Sequence, residues 1–421
     1  MAERSRISNL LLYATLTLAA MPILGMRPMV MVIVCWLLIS AISRSRIGSV
    51  QPIEWRTVLI LSAPFLLMVI DLLRVDDITT GWHAVERSAA LIIFPIGFFV
   101  FGAPSDDRLR KRMIDVFTVA ALALAVFVNL AIFVNESALE PSTTFSADYR
   151  NAFFGITGVH PPFAAYWFFS AALFQVQLAL QNERNAKWRM VLALILVVSG
   201  AMIGSRMPII AFGVAIATLL LFRFDKRKAF LWISSSVVAL GVLVMILPGS
   251  RTRVMEAYNT LSAGVGATEM NSVSVRSPIL QCSLQLLEEH WVIGMGQSAV
   301  QPALDACYQA NTRPILADGS YSTHNQPLHW WISFGVLGLV AFILLFGYSL
   351  RIALNRRDAI HVAFVVFILL CCFTENVLGR QWGVVVFACF NSLFMAAPIP
   401  RSVKVDGTAY FSETGAPRST Q

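Results

Sequence analysis

VLALILVVSGAMI, residues 191–203, carries no charge and no alternation of apolar and polar positions. A membrane barrel strand alternates, whereas a helix in lipid reads as one continuous apolar run. The run is therefore a membrane helix, and similar stretches lie on both sides of it. A bilayer-crossing helix needs roughly 17–25 mostly apolar residues. Such spans fall near 9–25, 28–43, 57–73, 88–103, 114–134 and 160–181, and then near 188–203, 206–222, 229–247, 328–350, 357–373 and 383–397. Several are short at these bounds and extend into the flanking loops. With 57% hydrophobic and 13% charged residues in 421, a soluble globular protein is excluded. The expected fold is an all-α polytopic membrane protein of about 12 transmembrane helices. One large outer loop, about 248–325, separates helices 9 and 10. The first apolar run lacks a small-residue cleavage site and is followed by further spans, so it reads as a span and not as a cleaved leader.

Orientation follows from the distribution of Lys and Arg between alternate loops. Placing the N-terminus in the cytoplasm puts 22 of the 32 cations on that side, including all five lysines. The other side holds ten, all arginine: Arg27, Arg74, Arg87, Arg150, Arg206, Arg251, Arg253, Arg276, Arg313 and Arg380. Both termini are thus expected inside, and the net charge of +8 is mostly this topological signal. The arginine-only outer face carries its own information. Guanidinium presents a planar fork of donors that fits phosphate bidentately and stays protonated at any working pH. Pairing with carboxylates or lipid headgroups is the alternative for each arginine taken singly.

Cys35, Cys371, Cys372 and Cys389 fall within spans and read as small packing residues. Cys282 and Cys307 are the two cysteines of the large outer loop and form a candidate disulfide, provided that their Cα atoms approach closely enough. A shorter outer segment, about 135–159, ends at His160-Pro161-Pro162, where prolines suit the first turn of the next helix. In the large loop, RSPILQCSLQLLEEH (276–290) reads as a helix, followed by a Gly294-Met295-Gly296 turn and a helix near 298–310. Those glycines mark a sharp turn and close backbone approach, with a ligand as one candidate. The stretch 260–275 is small and polar, and the tail from 401 lacks apolar periodicity and reads as disordered.

Chemistry concentrates at the loop–helix junctions. His324, in STHNQPLHWWISFGVLG just outside the tenth span, is suited to act as a general base for a hydroxyl. Asn325 beside it is placed to orient a hydroxyl or sugar, and His329 reads as a packing or hydrogen-bonded residue. Gly335 and Gly338 allow close packing below. Arg206 opens the eighth span after a tight Gly204-Ser205 turn, where a cation joins the free N–H groups of a helix N-terminus to make an anion site. Arg150, Arg276, Arg251 and Arg253 approach from the outer segments and supply further charge for an anionic leaving group. Asp71, near the outer end of the third span, needs a partner. Glu375 and Arg380 share the last outer turn and could pair with each other. Asp76-Asp77 could hold a metal but read better as a solvated loop. With no His/Cys cluster at ligand spacing and no phosphate-binding Gly-rich loop, a metal-free site is expected.

In these motifs the chain resembles the bacterial O-antigen ligase and polymerase superfamily of membrane glycosyltransferases. His324-Asn325, nine residues, then Gly335-xx-Gly338 matches that family's His-based signature. Arg206 matches its Arg-xxx-Leu motif, except that Ile210 stands for the leucine. Arg276 leading into Gly294-Met295-Gly296, and Arg150 leading to His160-Pro161, resemble its outer segments. The motif region covers about 148–345, within a membrane glycosyltransferase domain over 1–400 and a cytoplasmic tail at 401–421. The resemblance implies an enzyme of the bacterial inner membrane with its active site on the periplasmic face. It implies an undecaprenyl-diphosphate-linked glycan as donor, a lipid A–core hydroxyl as acceptor, and no cofactor or nucleic acid. It further implies His324 as base, with Arg206, Arg150 and Arg276 on the diphosphate. A polymerase that uses a lipid-linked repeat as acceptor is the nearest alternative, followed by a protein O-oligosaccharyltransferase. A transporter would place paired charges or broken helices near the bilayer midplane, whereas here the polar residues crowd one surface.

Overall fold

The computed structural model describes residues 2–47, 52–74, 78–134, 145–181, 184–247, 251–252, 254–255, 258, 275–311 and 314–397. Arg253, Arg313, Asp76-Asp77, nearly all of 260–275 and the 401–421 tail lie outside them. Every regular element among the described residues is helical, and each of the twelve apolar stretches is occupied by helix. Seven helices are long and apolar enough to cross a membrane: Met26–Arg46, Ile78–Val100, Asp107–Val134, Pro161–Gln181, Arg206–Arg223, Lys226–Ile246 and Val336–Asn355. Ala359–Cys372 and Gln381–Ala396 are shorter apolar helices, and Trp55–Asp71 and Ala186–Met202 run for 17 residues each. The protein is a polytopic helical membrane protein.

Burial ranks these helices. Pro161–Gln181 has 89% of the residues in an 18-residue apolar stretch buried and forms the axis of the bundle, while the corresponding share for Lys226–Ile246 is 6%, and that helix rides on the rim. Lipid tails are as apolar as leucine, so close packing holds such a bundle together more than the hydrophobic effect does. The central packing is aromatic: Phe174 meets Phe364, Phe390 and Phe394 at ring-centroid distances of 5.5, 5.0 and 5.5 Å. Offset and edge-on contacts at such separations are the favoured aromatic geometries.

Successive helices alternate in direction, and the contacts between them define two polar ends. At one end, Arg110 donates to both carboxylate oxygens of Asp358 at 2.6 and 2.7 Å and sits 4.4 Å over the Phe394 ring. Both residues are buried, so this bidentate pair satisfies two charges that would otherwise be costly there.

The other end carries His324. There the large loop folds into helices Arg276–His290, Gln297–Ala310 and Pro314–Asp318. They enclose a second, smaller core of Ile279, Leu286, Val300, Leu304, Tyr308 and Leu316, into which Leu328 and Ile332 of the following helix insert. Cys282 and Cys307 are joined as a disulfide, with Cα atoms 5.9 Å apart.

Two glycine motifs far apart in the chain meet to fasten this subdomain to the bundle. The N–H groups of Met295 and Gly296 donate to Ile332 O and Ser333 O, both at 2.9 Å, and Val336 N–H donates to Val292 O at 3.1 Å. A Cβ on Gly294 would come within 2.4 Å of Gly335 N, and one on Gly335 within 2.0 Å of Val292 O. The close approach expected at Gly294-Met295-Gly296 is thus to the chain's own backbone. Gly335, at φ +63°, also breaks the tenth stretch into Gln326–Phe334 and Val336–Asn355. Gly338 lets the second piece start against Trp330 O of the first, so this glycine pair shapes a helix break and permits the close approach of the two helices there. Asp71 finds its partner here as well. Its carboxylate accepts from Arg74 at 2.6 Å and from Gln297 N–H at 2.7 Å, and Arg74 continues to Ile293 O and Ser333 O.

Candidate active site

The histidine expected to carry the chemistry lies where two chain segments are laced together. Asn325 caps the helix Gln326–Phe334, its side chain accepting from Leu328 N–H at 3.0 Å. Thr323 Oγ1 donates to Asn376 Oδ1 at 3.2 Å, and Leu378 N–H donates to Gln326 Oε1 at 2.8 Å. The turn 375–378 is thereby pinned alongside 323–326. The outcome is a contact between His324 Nδ1 and Glu375 Oε1 at 3.0 Å. His324 holds the left-handed backbone conformation, φ +45°.

Glu375 therefore pairs with His324, and the expected Glu375–Arg380 pair does not form. Burial pushes the Glu375 carboxyl up, but the His324 hydrogen bond and charge, His160 and the Asn376 N–H outweigh it and hold the pKa below the usual carboxylate range. An ionised Glu375 draws the Nδ1 proton of His324 toward itself and leaves Nε2 as the free acceptor, the tautomer a general base requires.

Asn325 is held in place by the protein itself. Its Oδ1 caps the helix and its Nδ2 donates to Phe373 O at 3.3 Å. One Nδ2 hydrogen is engaged in this way and the second is not, so the amide braces the residue next to His324.

Around this pair the charges are cationic. His160 has one side open to solvent. Burial of the rest pushes its pKa down against the pull of Glu375, and Arg150, Arg380 and His324 add to the fall. Arg150 comes from the helix Phe145–Thr157, which is anchored by the buried side chains Tyr149, Ala152 and Phe153. Burial of the Tyr149 phenol, despite a hydrogen bond to Asn129, pushes it up to about 12, so it stays neutral. Arg276 opens the helix Arg276–His290 and acts electrostatically on Tyr166, as Glu375 also does. Arg380 acts in turn on Arg87.

Arg206 opens the helix Arg206–Arg223, which packs against Ala359–Cys372. The two helices run in opposite directions, so Arg206 and the turn carrying Glu375 share the same end of the bundle. Arg251 is exposed beyond Lys226–Ile246, and among the described residues no hydrogen bond or ion pair joins it to His324 or Glu375. His329 Nε2 lies 2.8 Å from Gln297 Nε2, a hydrogen-bonded residue as expected.

The structure thus gathers His324, Glu375, His160, Arg150, Arg380 and Arg276 at one end of the bundle. Glu375, His160 and Arg380 are the members that sequence reasoning left without a chemical role. The usable signal was a carboxylate next to an asparagine, Glu375-Asn376, on a short turn among buried helices. Residues 190–343 match the family model for O-antigen ligases. The chain carries an O-antigen ligase domain. That domain spans Arg206, Arg276, His324 and both glycine pairs, while Arg150, His160 and Glu375 lie outside the match. No curated protein matches the chain. The family groups glycosyltransferase-like O-antigen ligases and polymerases, and its substrates are lipid-linked glycans.

Proposed function

We propose that this O-antigen ligase domain protein transfers a glycan from undecaprenyl diphosphate to a hydroxyl of lipid A–core. The observation that carries the reading is the His324–Glu375 pair set among arginines at one end of a membrane bundle. His324 Nε2 takes the proton of the acceptor hydroxyl as its oxygen attacks the anomeric carbon. The bond from that carbon to the diphosphate oxygen breaks, the electron pair leaves with the diphosphate, and attack from the opposite face inverts the centre. Glu375 stabilises the imidazolium as it forms. Arg206, Arg150 and Arg276 take up the charge on the departing diphosphate, with Arg253 and Arg251 as further candidates from the same outer segment. Arginines supply that charge without a metal ion, and a cationic surround repels a divalent cation. The lipid diphosphate is already activated, so no nucleotide or other cofactor is required.

The site faces the periplasm of a bacterial inner membrane, with both termini in the cytoplasm. Supporting this, Lys111, Lys187, Lys226 and Lys228 all lie toward the end of the bundle opposite His324. The test is transfer in vitro by the purified protein, with an undecaprenyl-diphosphate oligosaccharide and lipid A–core, read as a gel shift. A shifted lipid A–core band that His324→Ala abolishes is the expected result. Lengthening of the lipid-linked donor with lipid A–core untouched would make the protein a polymerase, and no product with either acceptor would sink the transferase reading.

A further inference from the structure

The loop that delivers His324 also delivers an aromatic ring. Tyr321 lies just upstream, its ring centroid 6.1 Å from that of His324 and the two planes at 55°. At that distance and tilt the imidazole does not lie flat on the phenol ring. Tyr321 keeps 36% of its surface exposed, so part of the ring is open beside the residue proposed to take the proton.

An exposed tyrosine at a membrane surface is often an interfacial anchor, and an anchor needs no fixed pose. Tyr321 has one. Its N–H donates to Leu316 O at 3.1 Å, and its carbonyl accepts from the Tyr308 hydroxyl at 3.0 Å and from Gln301 Nε2 at 3.3 Å. Tyr308 is itself fully buried in the small core that the Cys282–Cys307 disulfide closes. Ser320 before the ring and His324 after it both hold positive φ, +46° and +45°, so the chain bends on either side of it. Backbone of this kind persists where neighbouring contacts enforce it, and it gathers at functional sites. The folded outer loop thus holds one part-open aromatic ring against the imidazole.

A pyranose carries hydroxyls around its rim and a patch of C–H groups on its face. Those C–H groups bear partial positive charge and suit the negative face of an aromatic ring. The arginines and Glu375 gathered at this end recognise oxygen atoms and charge instead. We infer that Tyr321 is the platform for the sugar at the reacting centre, stacking on its C–H face and bringing its reacting atom to His324; the inference rests on the glycan transfer proposed above. Tyr321 is a positioning residue in this role. Its contact is made with bound substrate as well as in the transition state, so its loss is felt in KM more than in kcat.

The experiment measures KM for the undecaprenyl-diphosphate oligosaccharide and for lipid A–core in wild type, Tyr321→Phe and Tyr321→Leu. Leucine keeps apolar bulk at a part-exposed position, and gel filtration in detergent checks that the variant is folded. Tyr321→Leu should raise KM for one substrate by roughly tenfold with kcat within about twofold, and Tyr321→Phe should stay near wild type. A rise for lipid A–core assigns the platform to the acceptor sugar, and a rise for the oligosaccharide assigns it to the donor. Unchanged KM for both overturns the inference. So does a fall in kcat alone, which would make Tyr321 a brace for the imidazole, or a phenylalanine variant as poor as leucine, which would make the hydroxyl the active part. Saturation-transfer NMR with free core oligosaccharide and with the donor reads binding without turnover. Should wild type make no product, the transferase reading falls, and the platform is then judged by this signal: weaker for either glycan in Tyr321→Leu supports it, and equal for both overturns it.

Discussion

Changing Glu375 to Gln keeps the shape of the side chain and an acceptor for the His324 ring but removes the charge. Two opposite unit charges 3.0 Å apart interact by about 5.5 kcal/mol at an effective dielectric of about 20. The two side chains are 28% and 19% exposed, so solvent screens part of this, and hydrogen bonds to charged groups net about 1.5–3 kcal/mol. That range, made in full only as the imidazolium forms, corresponds to a transfer rate lowered roughly 10- to 150-fold. The assay is donor-to-lipid A–core transfer with kcat and KM resolved, and the loss is expected in kcat because the charge acts on the transition state. The pH dependence has a defined sign. The Glu375 carboxyl is held below its usual range in the folded protein, so its contribution is complete above the ordinary value of about 4.3 and fades as pH falls through the lower folded value. The charge that Glu375 contributes should therefore be lost only in acid. Gel filtration in detergent separates a folded variant from a misfolded one, and Glu375→Asp, with its charge on a shorter arm, should fall between. A folded Glu375→Gln protein with wild-type kcat at neutral pH would refute the pairing as part of catalysis.

Arg206→Lys keeps the charge but loses the bidentate fork and should cost about tenfold or more in transfer rate; unchanged kinetics would reduce Arg206 to a topological cation. Gly335→Ala puts a Cβ at φ +63° and 2.0 Å from Val292 O. A melting temperature lowered by the equivalent of about 2 kcal/mol or more is expected, and an unchanged one would mean that the clasp between 292–296 and 332–336 is not a stabilising contact. The disulfide closes a loop of sequence separation 25, which in the loop-entropy picture stabilises by about 3.5 kcal/mol. Cys282→Ser should accordingly expose the helices Arg276–His290 and Gln297–Ala310 to proteolysis first, and digestion rates equal to wild type would argue against that contribution.

Much of the architecture was legible because its cause is local. Apolar runs, the proline-led start of Pro161–Gln181 and the helix at 276–290 each follow from residues adjacent in sequence. The position of Arg206 at a helix start was legible for the same reason. The meaning of the glycines was not, because Gly294 and Gly335 answer each other across some forty residues of chain, and no spacing rule names a partner backbone. Glu375 was misassigned on similar grounds. Proximity in sequence favoured Arg380, whereas the Thr323–Asn376 and Gln326–Leu378 hydrogen bonds turn the carboxylate toward a histidine 51 residues away. Asn325 could be recognised as polar and well placed, but that its amide caps a helix depends on where the next turn begins.

The backbone at His324 supplies one further step. A positive φ costs a non-glycine residue of order 1 kcal/mol or more and persists only where the surroundings over-determine it. They do so here: Thr323 is tied to Asn376, Asn325 caps the next helix, and Gln326 holds Leu378. None of these contacts uses the imidazole, so packing alone would be served as well by glycine, which adopts the conformation freely. What the histidine adds is a ring bonded at Nδ1 to an ionised carboxylate, with its other nitrogen available, at the end of the bundle where Arg150, Arg276 and Arg380 gather. The strain at this residue is thus explained by its side-chain chemistry, and the same reasoning ties Glu375, outside the family match, to the residues within it.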